Sequence, residues 1–196
     1  NRFWFFHTIK NSKIQQLNRS NTIFTSRMDY HFKTPKGSVE VICGSMFSGK
    51  TEELLRRINR CILAQLRVEM FKPLIDTRYK ADAIVSHMGR ELPCQTVTGS
   101  GSIVLLAAQA DVVAIDEAQF FDFGLVAVCQ ELAAMGKRVI IAGLDMDSNA
   151  EPFGPMPALM AVADQVYKVQ AICAQCGNLA YVSYRIANES KQIHLG

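Results

Sequence analysis

The chain has 196 residues, 49% apolar and 20% charged, which is long enough to bury a sizeable core and too apolar for a disordered protein. Twelve Gly and six Pro exclude a collagen-like or low-complexity chain, and no apolar run reaches the roughly 18–20 residues of a membrane span. The net charge of +3 is uneven: residues 1–36 hold seven Lys/Arg against one acid, Asp29, whereas the rest carries 14 basic and 17 acidic residues. The body therefore gives no reason to expect nucleic-acid binding.

Residues 1–37 read as a basic leader outside the folded body, disordered or not native. Residues 1–27 hold five basic residues, no acid and the aromatic cluster Phe3, Trp4, Phe5 and Phe6. A targeting segment shares that basic, acid-poor bias, but no amphipathic period is visible. The body opens with a β-rich run, Val39 to Cys43, ended by Gly44. Residues 50–66 place Leu54, Leu55, Ile58, Ile62 and Leu66 near helical spacing, which predicts an amphipathic helix. Val68 to Phe71 predicts a second strand, stopped by Pro73. Residues 73–100 look polar and irregular, broken by Gly89, Pro93 and Gly99.

Beyond them, Ile103 to Ala110 predicts a helix and Val112 to Ile115 a buried strand. Residues 123–135 predict a helix ended by Gly136, and Val139 to Ala142 another buried strand. Pro155 to Ala163 predicts a short helix and Gln165 to Ala171 a strand. Residues 181–186 alternate like a strand, and 192–195 look like the start of another, so the segment is expected to continue beyond Gly196. Continuous apolar strands alternating with helices imply an α/β fold, a parallel sheet covered by helices on both faces. Ligands in such sheets bind at the carboxyl ends of the strands.

Two motifs fall at those ends. Gly44-Ser45-Met46-Phe47-Ser48-Gly49-Lys50-Thr51 fits G-x-x-x-x-G-K-[ST] between a strand and a helix, the context of a phosphate-binding P-loop. Glycines let backbone N–H groups turn onto phosphates, and the helix N-terminus adds partial positive charge. Lys50 would reach the β- and γ-phosphates, and the Thr51 hydroxyl would ligate Mg²⁺. Val112 to Ile115 then runs into Asp116 and Glu117. Asp116 suits a Mg²⁺-holding role. Adjacent strand positions face opposite ways, so Glu117 is expected to face an acceptor while Asp116 faces the metal. Glu117 would orient water in an ATPase or take a hydroxyl proton in a kinase, and the two acids alone do not decide between them.

Of six cysteines, Cys43, Cys61, Cys94 and Cys129 sit in apolar segments and read as small buried hydrophobes. Cys173 and Cys176 form Cys-x-x-Cys before a hairpin-like stretch, the pattern of half a zinc ribbon; a redox pair and plain packing are the alternatives.

The P-loop, together with Asp116-Glu117-Ala118-Gln119-Phe120-Phe121, resembles the type II, cytosolic-type thymidine kinases. Asp76-Thr77-Arg78-Tyr79, Ser86-His87-Met88-Gly89, Gly143-Leu144-Asp145, Pro152-Phe153-Gly154-Pro155-Met156-Pro157 and the Cys173/Cys176 pair extend the resemblance over about residues 38–195. It implies a P-loop kinase domain at 38–170 and, from 171 to 196, the start of a zinc-bound lasso that is incomplete here. It implies transfer of the ATP γ-phosphate to the 5′-hydroxyl of thymidine or deoxyuridine, with Glu117 as proton acceptor.

Carried over by position, Gly44, Ser45, Met46, Phe47, Ser48, Gly49, Lys50, Thr51, Asp116, Glu117, Ala118 and Gln119 bind ATP. Met46, Phe120, Leu144 and Ser183 lie at the nucleoside, and Arg78 is either a phosphate contact or a solvated loop arginine. Thr51 and Asp116 hold Mg²⁺, and Cys173 and Cys176 hold structural Zn²⁺. Ser148 stands where members often carry an aromatic that flanks the base. The resemblance further implies a cytoplasmic homotetramer acting on thymidine and ATP, with neither nucleic acid nor membrane as partner. The competing readings are a P-loop ATPase and a nucleotide-binding fragment of impaired catalysis.

Overall fold

The computed structural model describes residues 37–75, 83–85 and 91–184. Its strands are β1 (Ser38–Gly44), β2 (Val68–Pro73), β3 (Ala83–Val85), β4 (Glu91–Pro93), β5 (Gln95–Val97), β6 (Val112–Ile115), β7 (Arg138–Gly143), β8 (Gln165–Val169), β9 (Ala171–Ile172) and β10 (Leu179–Ala180). Its helices are α1 (Lys50–Leu63), α2 (Ile103–Leu106), α3 (Leu125–Ala134) and α4 (Met156–Val162). Six strands form one parallel sheet in the order β5-β2-β6-β7-β1-β8. Two antiparallel hairpins, β3-β4 and β9-β10, stand apart from it.

Alternation along β1 divides the core. Val39, Val41 and Cys43 face one side and pack with Leu125, Cys129 and Leu132 of α3 and Leu159 of α4. Ile42 faces the other and packs with Leu54, Leu55 and Ile58 of α1. Both faces are apolar, so the strands read as continuous hydrophobic runs, and the expected doubly covered parallel sheet is what forms.

Three local expectations are corrected. The stretch 73–100 contains β3, β4 and β5, and β5 pairs with β2 at the sheet edge through Phe71↔Gln95. A three-residue strand is too short to show a period, and β5 has a neighbour on one side only. The helix expected over 103–110 stops at Leu106 and is preceded by a 3₁₀ turn at Ser100–Ser102. Asp122 anchors that turn by accepting from the Ser100 N–H at 2.9 Å and the Ser100 hydroxyl at 2.7 Å. Residues 181–184 are not a strand: only Leu179–Ala180 pairs, with Ala171–Ile172. The leader through residue 36 and residues 185–196 lie outside the described residues.

Glu40 departs from the apolar pattern. It faces α1, buried, and accepts from Arg57 Nη1 at 2.6 Å and from Arg138 Nε at 2.6 Å and Nη2 at 3.0 Å. Tyr167 covers Arg57, whose guanidinium carbon lies 4.0 Å from the ring centre. Burial pushes the Glu40 carboxyl up, but the two guanidiniums outweigh it and hold it below the ordinary glutamate range. The pair therefore stabilises the fold fully above that range and loses its contribution as pH falls through the depressed folded-state value.

Glu40→Gln is expected to cost about 2 kcal/mol at pH 7. That is below the ~3–5 kcal/mol of breaking a fully buried pair, because Arg57 keeps Glu53 and the Arg138 side chain is 39% exposed. Urea melts should show the gap between variant and wild type narrowing towards pH 3; a gap constant with pH would contradict the ion-pair account.

Candidate functional site

β1 delivers its last residue, Gly44, with φ 143° and no room for a side chain: a Cβ there would sit 2.0 Å from the Val169 carbonyl oxygen of β8. The chain then turns through Phe47 (φ 60°) and Gly49 (φ 86°) before Lys50 opens α1. Phe47 holds a left-handed conformation and is 72% exposed, a strained placement of the kind that clusters at ligand loops. Ser45 is the hub of the loop. Its carbonyl accepts from Lys50 Nζ at 2.8 Å and from the Ser48 hydroxyl at 2.7 Å.

The acid turn lies two strands away, at the end of β6. The β strand stops at Ile115, and the buried Asp116 carboxylate accepts from the Thr51 hydroxyl at 3.3 Å and from the Glu117 N–H at 2.9 Å. Glu117 is left-handed (φ 51°, ψ 40°). The two acids therefore diverge through a left-handed turn, and the expected strand alternation is not the cause. Glu117 Oε2 accepts from Gln119 Nε2 at 2.5 Å, and Gln119 Oε1 accepts from the Leu144 N–H at 2.9 Å.

The Gln119 amide thus clamps Glu117 to the end of β7. Two glycines make room for it. A Cβ on Gly143 would lie 2.8 Å from Gln119 Oε1, and one on Gly154, at φ 50°, would lie 2.2 Å from the Gln119 carbonyl oxygen. Sequence reasoning named Gln119 but not this clamp. Its trace in the sequence is a glycine at a strand end and another inside Pro-Phe-Gly-Pro.

Between loop and turn lies an open cleft lined by Met46, Phe47, Gly49, Lys50, Thr51, Glu52, Glu117 and Leu144. Glu52 was not anticipated. Ala118 is fully buried in the core beneath the turn. Phe120 lies outside the lining and packs edge-on against Phe153, ring centres 5.5 Å apart at 88°. Behind the loop, buried Asp145 lies 2.6 Å from Lys168 Nζ. Burial and the Asp145 charge push the Cys43 thiol up to about 11, so Cys43 is an inert core residue. The half-buried Ser148 lies in a loop held by Asp147, which accepts from the Asn149 N–H at 2.8 Å and the Glu151 N–H at 3.0 Å.

The cysteine pair caps the β9-β10 hairpin. Cys173 and Cys176 flank a turn in which the Gly177 N–H donates to the Cys173 carbonyl at 2.9 Å and Gly177 takes φ 73°. Amide N–H groups of Cys176 and Gln175, with the Cys176 thiol, hold the Cys173 thiol below its ordinary range. Such a thiolate-stabilising turn fits a zinc ligand, but among the described residues no cluster of three or more His, Cys, Asp or Glu forms. The hairpin also returns to the phosphate loop: the Ser45 hydroxyl donates to the Ala180 carbonyl at 3.1 Å, and the Met46 N–H donates to Ser183 Oγ at 2.8 Å. Arg78 and the motif at 86–89 lie outside the described residues. No helix among the described residues is long and apolar enough to cross a membrane.

With this geometry in place, comparison with known proteins is specific. The profile of the thymidine kinase family matches residues 37–196. A thymidine kinase of Bacteroides fragilis is 58% identical over 161 residues, covering 82% of this chain and 81% of its own. A thymidine kinase of Porphyromonas gingivalis is 57% identical over 161 residues, with 82% and 79% covered. One from a Rhodothermus species is 55% identical over 160 residues, with 82% and 75% covered. A strand-to-helix phosphate loop, an acid turn clamped beside it and identity above one half across that whole body place the chain in the thymidine kinase family.

Proposed function

We propose that the protein transfers the γ-phosphate of ATP to the 5′-hydroxyl of thymidine or deoxyuridine, and that Glu117 takes the hydroxyl proton. The observation that carries this reading is the Gln119 clamp, which fixes the Glu117 carboxylate on the wall of the cleft that Lys50 and Thr51 also line. In-line phosphoryl transfer asks for positioning and charge stabilisation more than covalent chemistry. Lys50, with one of its three donors held by the Ser45 carbonyl, offers the others to the β- and γ-phosphate oxygens. The other amides of the Gly44 to Thr51 loop and the α1 N-terminus cradle the phosphates, while Ser183 holds the Met46 N–H. Asp116, Ala118 and Gln119 build the turn at the nucleotide's edge, and Arg78 adds a phosphate contact.

The Thr51 hydroxyl and the Asp116 carboxylate, already within hydrogen-bonding distance, form a hard-oxygen pair that would hold Mg²⁺. When bound, that ion neutralises charge on the transferring phosphoryl group. Met46, Leu144 and Ser183 border the nucleoside, with Phe120 packed against Phe153 behind them. Residues 38–170 form the kinase domain, and the segment from residue 171 belongs to a lasso that covers the nucleoside and excludes water. Cys173 and Cys176 supply half of a structural Zn²⁺ site, and the enzyme works as a cytoplasmic homotetramer.

Two expected outcomes test the reading. Glu117→Gln keeps the shape and the hydrogen bonds but removes the basic carboxylate. Turnover should fall by roughly 10²–10⁴-fold while ATP affinity, read by calorimetry, stays within about twofold. Wild-type turnover in that variant would remove Glu117 from the role of base. For the lasso, Cys173→Ser in the full-length protein should lower zinc content, read by elemental analysis, from one ion per chain to well below it, because a structural site needs all four ligands. Unchanged stoichiometric zinc would show that the pair binds none.

A further inference from the structure

We infer that the hydroxyls of Ser183 and Ser45 form a latch through which the β9-β10 hairpin sets the phosphate loop, so that nucleotide affinity depends on the hairpin even with no nucleoside bound. This rests on the phosphoryl-transfer reading above and adds a regulatory coupling to it. The loop is anchored at both ends: at Gly44 by the close passage of Val169, and at Lys50 by the start of α1. Its crest, Ser45 to Ser48, contains the left-handed Phe47.

Two long-range hydrogen bonds from this crest go to the hairpin segment, one from the Ser45 hydroxyl to the Ala180 carbonyl and one from the Met46 N–H to the Ser183 hydroxyl. Loop amides ordinarily turn inward on phosphates. The Met46 amide is instead held by Ser183, so it serves as an anchor point. Ser45 transmits the anchor further, because its carbonyl docks both Lys50 Nζ and the Ser48 hydroxyl. Displacing Ser45 therefore displaces the ammonium that meets the phosphates. Ser183 and Ser45 act as positioning residues for Lys50 and the loop amides. Coupling of this kind is reciprocal: if the hairpin sets nucleotide affinity, bound nucleotide orders the hairpin that covers the nucleoside.

The test measures binding of an ATP analogue with a non-hydrolysable β–γ bridge to the full-length protein, by calorimetry and without thymidine. It compares wild type with Ser183→Ala, Ser183→Thr and Ser45→Ala. Losing one hydrogen bond of ordinary strength corresponds to roughly fivefold. Each alanine variant should bind about that much more weakly, and Ser183→Thr, which keeps a hydroxyl, should stay within about twofold of wild type.

Unchanged affinity in Ser183→Ala overturns the latch, as does an equal loss in Ser183→Thr. Thermal melts report folding, and if Ser183→Ala does not fold, Ser45→Ala decides by the same threshold. A wild-type protein that binds the analogue but does not phosphorylate thymidine overturns the functional reading and leaves the latch standing. A working kinase whose Ser183→Ala variant binds the analogue normally overturns the latch alone.

Discussion

One buried carboxylate joins the two halves of this site. Asp116 accepts from the Thr51 hydroxyl at the head of α1 and from the N–H of its own neighbour, Glu117. The first bond ties the phosphate loop's helix to the end of β6, two strands away. The second favours the left-handed turn that separates Glu117 from Asp116. A parallel sheet makes the junction possible, because it brings the carboxyl ends of β1, β6 and β7 to the same edge. Asp116 thereby ties the helix of the loop to the acid turn, and loop and turn form two walls of one cleft.

The second constraint is steric. Gln119 must reach the Glu117 carboxylate and the Leu144 amide at once, which places its carboxamide against the end of β7 and its carbonyl against the loop before α4. A Cβ at Gly154 would run into the Gln119 backbone, and one at Gly143 would press on the Gln119 carboxamide and the Met156 sulfur. The same exclusion holds at Gly44, where β8 passes close to the phosphate loop. The glycines are therefore points of close approach as much as turns. They let the ends of β1 and β7 and the loop before α4 come into close contact with their neighbours.

Much of this was legible in the chain. The P-loop is a local motif whose strand-loop-helix setting can be checked within twenty residues, and the apolar runs of β1, β6 and β7 announce a sheet buried on both faces. What was not legible lies in contacts across long sequence separations or in elements too short to carry a period. β5 has three residues and looked like irregular chain. The divergence of Asp116 and Glu117 was anticipated for the wrong reason, because alternation ends with the strand at Ile115. The carboxamide of Gln119 was placed near nucleotide without its clamp, since its partner at Leu144 is 25 residues on. Ser183 and Met46, 137 residues apart, share no local pattern at all. Their meeting depends on β8 lying beside β1 and carrying the hairpin back over the loop.

Taken together, these contacts describe the cleft in which we propose that a phosphoryl group passes to a nucleoside hydroxyl rather than to water. The most direct measurement follows the γ-phosphorus of isotopically labelled ATP in the full-length protein with and without thymidine. The account predicts that label appears in thymidine 5′-monophosphate, one for each ADP formed, and that little inorganic phosphate forms when thymidine is absent. Release of labelled inorganic phosphate at the same rate with or without thymidine would contradict it.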